Sequence, residues 1–267
     1  MIPVMETFLR ARAEGRTVAP PRHAVDFGAA GKLVFTIGDV EDAARSLAGF
    51  RVYDTFPISV PVQSGQLVAV WDSGTGALLG VILGDLLGEW RTGALGGVAI
   101  RRMARAGAKI CAVLGTGRQA RTQLLAAVAS RELAEIRVFG RDEARRAGFM
   151  HALSAETGKI VRPSRSAREA VEGADIVLCA TNSPTPVFDA AWLAPRVHVS
   201  SVGPKLRSAH ELPLNFGARV TLLVSDSPEQ LSAYREPHVI SGHAMFDRLP
   251  IWPIWSCRIS CCPHMKA

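Results

Sequence analysis

A chain of 267 residues, 48% of them apolar, can bury one large core or two modest ones, and 31 lysines and arginines against 24 acidic residues leave a formal charge of +7. That charge is dispersed and mostly arginine, with no basic block or interleaved aromatics, which argues against a nucleic-acid partner and suits an anionic cofactor or a carboxylate substrate. No apolar run is long enough to span a bilayer, and "MIPVMETFLRARAEGR" meets charge too early for a signal peptide, so no membrane association and a cytoplasmic location are expected.

Met5, Phe8 and Leu9 recur at helical spacing over residues 5–15, and the prolines of "EGRTVAPPR" end that helix. Four strands are expected next, over 32–37, 50–56, 66–72 and 77–83, the last two joined by "SGTG", a hairpin signal. This part reads as a small, largely antiparallel sheet. In "EWRTGALGGVAIRRMARAG" the small residues Gly93, Ala94, Gly96, Gly97 and Ala99 would weaken an isolated helix but permit close packing, so a connecting helix between domains is expected.

From Lys109 onward strands and helices alternate. Strands are expected over 110–114, 135–139, 160–162, 176–180, 197–201 and 220–225, with one intervening helix opened by Ser166 and Glu169 at capping-box spacing. The alternation predicts an α/β fold, a doubly wound parallel sheet covered by helices, beside a smaller α+β domain. The expected division is 1–105, joined by the C-terminal segment 241–267, for substrate binding and dimerisation, and 106–240 for the nucleotide. Cys111 and Cys179 lie in apolar strands, where a thiol packs as a small hydrophobe. Cys257, Cys261, Cys262 and His264 crowd the end, but adjacent cysteines beside proline, with no second Cys-x-x-Cys pair, predict no metal site.

The chemistry concentrates in "GTGRQA". Gly115 and Gly117 hold the first two glycine positions of the dinucleotide fingerprint of Rossmann-type domains, Ala120 takes the third, and Thr116 and Gln119 complete the turn. An apolar strand precedes it and an amphipathic helix follows, whose N-terminal amides would face a pyrophosphate. At the tip of the next strand, where an acidic side chain would accept from the adenine ribose, stand Gly140 and Arg141. A guanidinium there favours a 2′-phosphate, hence NADP over NAD, although Arg141 can equally be a surface charge and Asp142 can take the ribose.

With these residues in view, the chain resembles the ornithine cyclodeaminase and mu-crystallin family, from about Met5 to Leu249. The motifs "AEGRTVAPPR", "WRTGA", "VLGTGRQARTQL", "ADIVLCATNSPTPVF", "SVGPKLRSAHELP" and "VSDSPEQL" occur in the family's order. The resemblance implies a nucleotide domain plus a second domain that pairs into a homodimer through its sheet. It also implies that Arg91 and Arg22 hold the substrate carboxylate, and that Thr181, Asn182 and Ser183, with Val202 and Gly203, contact the cofactor.

Two departures bear on the reaction. Arg51 stands where the family commonly has a lysine; it can bind a carboxylate but stays protonated, so proton relay through it is disfavoured. Lys205 stands where cyclodeaminases carry an aspartate, which opposes ornithine cyclisation and leaves Lys205 either to supply a proton in imine reduction, or to point to solvent or pair with Glu211. After "HVISGHAMFDRL" the sequence "PIWPIWSCRISCCPHMKA" matches nothing in the family, and the family's first strand is absent at the start. A truncated or frameshifted member is expected, with exposed apolar surface in the first domain, a sound nucleotide domain, and impaired pairing and catalysis.

The expected function is therefore an NADP-dependent reductase or dehydrogenase of a small cyclic imino acid or amino acid, with Arg22, Arg51 and Arg91 around the carboxylate. The alternatives are an ornithine cyclodeaminase yielding proline and ammonia, and a catalytically weak NAD(P)-binding protein.

Overall fold

The computed structural model describes residues 1–42, 45–56 and 65–242, and they form two compact units. Residues 1–5, 89–223 and 235–242 make one; 6–42, 45–56, 65–88 and 224–234 make the other. The chain opens with α1 (Ile2–Ala13), then β1 (Thr17–Val18), β2 (His23–Asp26), β3 (Lys32–Asp42), β4 (Arg45–Asp54), β5 (Leu67–Asp72) and β6 (Leu78–Leu83). These strands form one antiparallel sheet in the order β1-β3-β4-β5-β6, with β2 also paired to β3.

All four expected strands of this sheet are present. β3 and β4 run further than the apolar pattern indicates, because their ladder continues from Ile37↔Phe50 out to Asp42↔Arg45 through pairs in which glycine and charged residues interrupt the apolar run. β1 and β2 are short and largely exposed, so they carry no alternation that a sequence reading could detect. The "SGTG" hairpin closes as expected: the Asp72 amide donates to the Ala77 carbonyl at 2.9 Å, and the Asp72 carboxylate accepts from the Gly74 and Thr75 amides.

The other unit continues with α2 (Leu86–Met103), β7 (Ile110–Leu114), α3 (Arg118–Val128), β8 (Glu135–Phe139), α4 (Glu143–Thr157), β9 (Val161–Pro163), α5 (Ala167–Val171), β10 (Ile176–Cys179) and β11 (His198–Ser201). Two-residue strands β12 (Lys205–Leu206) and β13 (Ala209–His210) form a small hairpin, and α6 (Pro228–Ser232) closes the series. The five long strands are parallel, in the order β11-β10-β7-β8-β9. This is the expected doubly wound α/β sheet, and its strand order reverses between β7 and β10.

Strand residues alternate between two buried layers, as a period of two requires. Cys111, Val113, Ile136, Val138, Ile176 and Leu178 pack with Leu124 of α3 and Leu153 of α4. Ala112, Leu114, Val177 and Cys179 face the other way, against Val171, Phe188 and Phe216. Both cysteines are free and buried, and burial raises their thiol pKa values. The small residues of α2 meet α3 closely: a Cβ on Gly93 would lie 2.6 Å from the Thr122 carbonyl oxygen.

Two expectations are corrected. Residues 220–225 form no named strand among the described residues, and only Ser225 makes a bridge; Val220 and Leu223 pack on the Leu114 and Phe216 layer, so their apolar pattern reflects a loop lying on the core. The capping box at Ser166 is half formed: Ser166 Oγ accepts from the Glu169 amide at 3.1 Å, while the Glu169 carboxylate accepts from the Arg165 amide. Among the described residues no helix is long and apolar enough to cross a membrane. The cysteine-rich end, with Cys257, Cys261, Cys262 and His264, lies outside the described residues.

Candidate functional site

The crevice at the reversal point of the parallel sheet is built from the ends of β7, β8, β10 and β11. After β7 the backbone turns at Gly115, whose φ of +115° is a conformation that side-chain-bearing residues rarely adopt. A Cβ there would stand 2.3 Å from the Ala180 carbonyl oxygen, so the close approach of β7 and β10 also demands glycine. Gly117 is the N-cap of α3; no side chain caps that end, and a Cβ on Gly117 would meet nothing within 4 Å. Ala120 is fully buried against the sheet, while the Gln119 Oε1 atom is buried with no hydrogen-bond partner among the described residues.

These features suit a diphosphate. An uncapped helix start presents amide donors and the positive end of its dipole, and the open space beside Gly117 is where a phosphate can approach the backbone. Arg118, the first residue of α3, pairs with Glu89 of α2 at 3.0 Å. Gln123 of α3 donates from Nε2 to the Thr92 carbonyl at 3.0 Å, so the helix carrying Arg91 is tied to α3.

At the tip of β8, a Cβ on Gly140 would lie 2.8 Å from Thr116 Cγ2, which leaves little room for an acidic side chain at that place. Arg141 is exposed. Asp142 is engaged elsewhere: it is the N-cap of α4, and its Oδ1 accepts from the Arg145 amide at 2.9 Å.

On the far side of the reversal point, the loops after β10 and β11 meet at a residue that the sequence reading named only as a partner for Lys205. Glu211 has no solvent exposure. Its Oε2 accepts from the Thr181 amide at 2.9 Å and the Thr181 hydroxyl at 2.8 Å. Its Oε1 accepts from the Ser201 hydroxyl at 2.8 Å and the Gly203 amide at 2.6 Å. Thr181 Oγ1 in turn accepts from the Ser183 amide, and the Val202 amide donates to the Cys179 carbonyl at 3.0 Å. Asn182 is exposed between them.

A bond from Lys205, one of the alternatives open from sequence, is not among these four. Lys205 sits on β12 opposite His210, and its carbonyl accepts from the Val239 amide at 2.8 Å. His238 is buried close by. Burial first, and then the Lys205 charge, lower its pKa to about 4.

The antiparallel unit holds a second cluster. Arg51 and Tyr53 follow each other on one face of β4, and the Arg51 guanidinium lies 4.5 Å from the centre of the Tyr53 ring. Arg22 donates to the Tyr53 hydroxyl at 3.4 Å, and its amide donates to Gln230 Oε1 at 2.7 Å. Burial lowers the Arg51 pKa; Tyr53 opposes the shift and Arg22 adds to it. Arg51 Nε and the hydroxyl of Thr36, its cross-strand neighbour, are both buried without a hydrogen-bond partner among the described residues.

Two adjacent cations with an unsatisfied donor have the chemistry that pairs with a carboxylate. Tyr234 completes the group: burial raises its pKa, while the Arg22 charge opposes. Tyr53, Gln230 and Tyr234 were not singled out from sequence; only the two-residue spacing of Arg51 and Tyr53 on a strand signals a shared face. Arg91, the third arginine, is half-buried on α2 in the other unit.

Residues 1–259 match the family model described as the ornithine cyclodeaminase/mu-crystallin family. A Delta(1)-pyrroline-2-carboxylate reductase of Bacillus cereus is 32% identical over 80% of this chain and 66% of its own length. Among solved structures, the Delta(1)-pyrroline-2-carboxylate reductase of Thermococcus litoralis, in complex with NADH and L-proline, is 29% identical, with a TM-score of 0.75 over 89% of this chain and 74% of that one. A lysine cyclodeaminase described with L-lysine, L-ornithine and L-2,4-diaminobutyric acid is also 29% identical, with a TM-score of 0.76 over 93% of this chain and 72% of that one. The chain spans just under two thirds of the length of the first curated relatives it matches.

Proposed function

This chain belongs to the ornithine cyclodeaminase/mu-crystallin family, and on that premise we propose that it is an NADP(H)-dependent oxidoreductase that reduces a small cyclic imino acid, of the pyrroline-2-carboxylate kind. The observation that carries the reading is the uncapped, open start of α3 at the reversal point of the sheet, joined to the Gly115 turn. The reductases of Bacillus cereus and Thermococcus litoralis support the substrate class, and the NADH complex of the latter supports a dinucleotide. The NADP preference rests on Arg141 standing exposed at the β8 tip while Asp142 is engaged in capping α4.

When bound, the dinucleotide supplies the hydride that reduces the C=N bond. The Gly115, Thr116 and Gly117 turn, with Gln119 and Ala120 opening α3, would hold its diphosphate, Arg141 its 2′-phosphate, and the Thr181–Ser183 and Val202–Gly203 loops its second half. Arg51 and Arg22 bind and orient the substrate carboxylate, with Arg91 as the third arginine assigned to it by family resemblance. Arg51 remains charged and therefore positions the substrate without relaying a proton. Lys205, an ammonium in place of a carboxylate, supplies the proton to the imine nitrogen; the same substitution disfavours ornithine cyclisation, which needs a base.

The antiparallel sheet serves a homodimer. Its edge strand β6 exposes apolar side chains on both faces, among them Val81 at 51% and Leu83 at 75%. Sedimentation of the purified chain checks this, a monomer at micromolar concentration being the contrary result.

Titration of NADPH fluorescence followed by NADPH oxidation with pyrroline-2-carboxylate and piperideine-2-carboxylate tests the reading. Quenching with turnover is expected. Absence of binding overturns it, and ammonia release from ornithine in place of imine reduction identifies the cyclodeaminase.

A further inference from the structure

We infer that Glu211 is a positioning residue that sets both loops of the second mononucleotide half and biases the site toward the oxidised dinucleotide; the inference rests on the dinucleotide reading above. A doubly wound sheet binds one mononucleotide on each side of its reversal point. The fingerprint turn and the β8 tip take the adenosine side, which leaves the ends of β10 and β11 to the nicotinamide side. Glu211 is the group that joins those two ends: one carboxylate oxygen takes Thr181 after β10, the other takes Ser201 and Gly203 at β11.

The fit is tight enough to dictate a neighbour. A Cβ on Gly203 would lie 2.5 Å from the Glu211 carboxyl carbon and 2.5 Å from the Thr181 carbonyl oxygen, so glycine is required for the carboxylate to reach both loops. Backbone bonds hold Glu211 from either side: its amide donates to the Pro204 carbonyl at 3.0 Å, and its carbonyl accepts from the Val187 amide at 3.0 Å.

All four hydrogen-bond donors on the carboxylate are uncharged, so its charge is spread over neutral hydrogen bonds. Burying such a group costs free energy unless its bonds are kept, and apolar packing could join two loops without it. What a carboxylate adds is a fixed negative potential at the end of β10 and β11. The oxidised nicotinamide ring is cationic and the reduced ring is neutral. The clamp therefore attracts the oxidised ring electrostatically and leaves the reduced one nearly indifferent.

The test compares dissociation constants for NADP⁺ and NADPH by calorimetry in the wild type, Glu211→Gln and Ser201→Ala, each checked for folding by circular dichroism. A glutamine must turn its amino group toward a backbone N–H of Thr181 or Gly203, which breaks one bond of the clamp. Affinity for both forms should fall, and for NADP⁺ by about fivefold more than for NADPH. Ser201→Ala keeps the charge and removes one neutral donor, so the ratio should move the other way, by about twofold. If Glu211→Gln does not fold, Ser201→Ala decides by itself. Unchanged ratios in the folded variants overturn the role of Glu211 and leave the dinucleotide reading intact, whereas a wild type that binds neither form overturns both.

Discussion

The α-carbon of Gly115 lies so close to the end of β10 that any side chain on it would press into the Ala180 carbonyl oxygen, 2.3 Å from where its Cβ would stand. This contact joins the two strands that flank the reversal point, and at the same residue the backbone holds a φ of +115°. Gly115→Ala should therefore destabilise the parallel-sheet unit by at least about 2 kcal/mol. It should also abolish NADPH quenching. Thermal unfolding and fluorescence titration check both; an alanine variant that melts and binds like the wild type contradicts the account of the turn.

Removing the guanidinium at the β8 tip should separate the two cofactors. Arg141→Ala is expected to weaken NADPH by about tenfold or more, the worth of a charge-assisted hydrogen bond, and to leave NADH affinity unchanged. Equal loss for both, or none, removes Arg141 from the 2′-phosphate.

The buried, unsatisfied Nε of Arg51 makes a different prediction, since it concerns substrate and not cofactor. Arg51→Met should lower kcat/KM for pyrroline-2-carboxylate about a hundredfold, mostly through KM, because a carboxylate loses its charged partner. NADPH affinity should be unaffected. A normal KM would place the carboxylate elsewhere.

Lys205→Met tests the proton. If the ammonium serves the imine nitrogen, kcat should fall by about a hundredfold with NADPH binding preserved. Unchanged turnover takes Lys205 out of the chemistry.

Acid should weaken the parallel-sheet unit through its buried histidines. Burial, aided by Arg131, lowers the His198 pKa to about 4, and His238 is lowered to a similar value. Both are neutral in the folded chain at pH 7, whereas an unfolded histidine takes a proton near pH 6.5. Stability present above about pH 6.5 is thus lost as the pH falls toward 4, with roughly 3 kcal/mol from His198 when the loss is complete. Urea unfolding at pH 7 and pH 4.5 should show the difference, reduced in His198→Leu. An equal pH dependence in that variant assigns the loss to other groups.

Much of this protein is written in local sequence. Residues 110–114 and 135–139 were identifiable as strands to the residue, because an apolar run bounded by a glycine turn has few other uses in a chain of alternating elements. The Gly115 turn, the start of α3 and the small residues of α2 were equally legible, since each depends on neighbours within a helical turn or two. Other features were decided only when distant segments met. Residues 220–225 have the composition of a strand, yet Val220 and Leu223 serve as loop residues packed on the core. Glu211 reads as an ordinary glutamate in "SAHELP"; its four donors come from Thr181, Ser201 and Gly203, and nothing in the chain order of those residues says that they converge. Backbone propensity and apolar period act over a few residues and can be read along the chain, whereas the satisfaction of a buried charge is a property of three strand ends brought together in space.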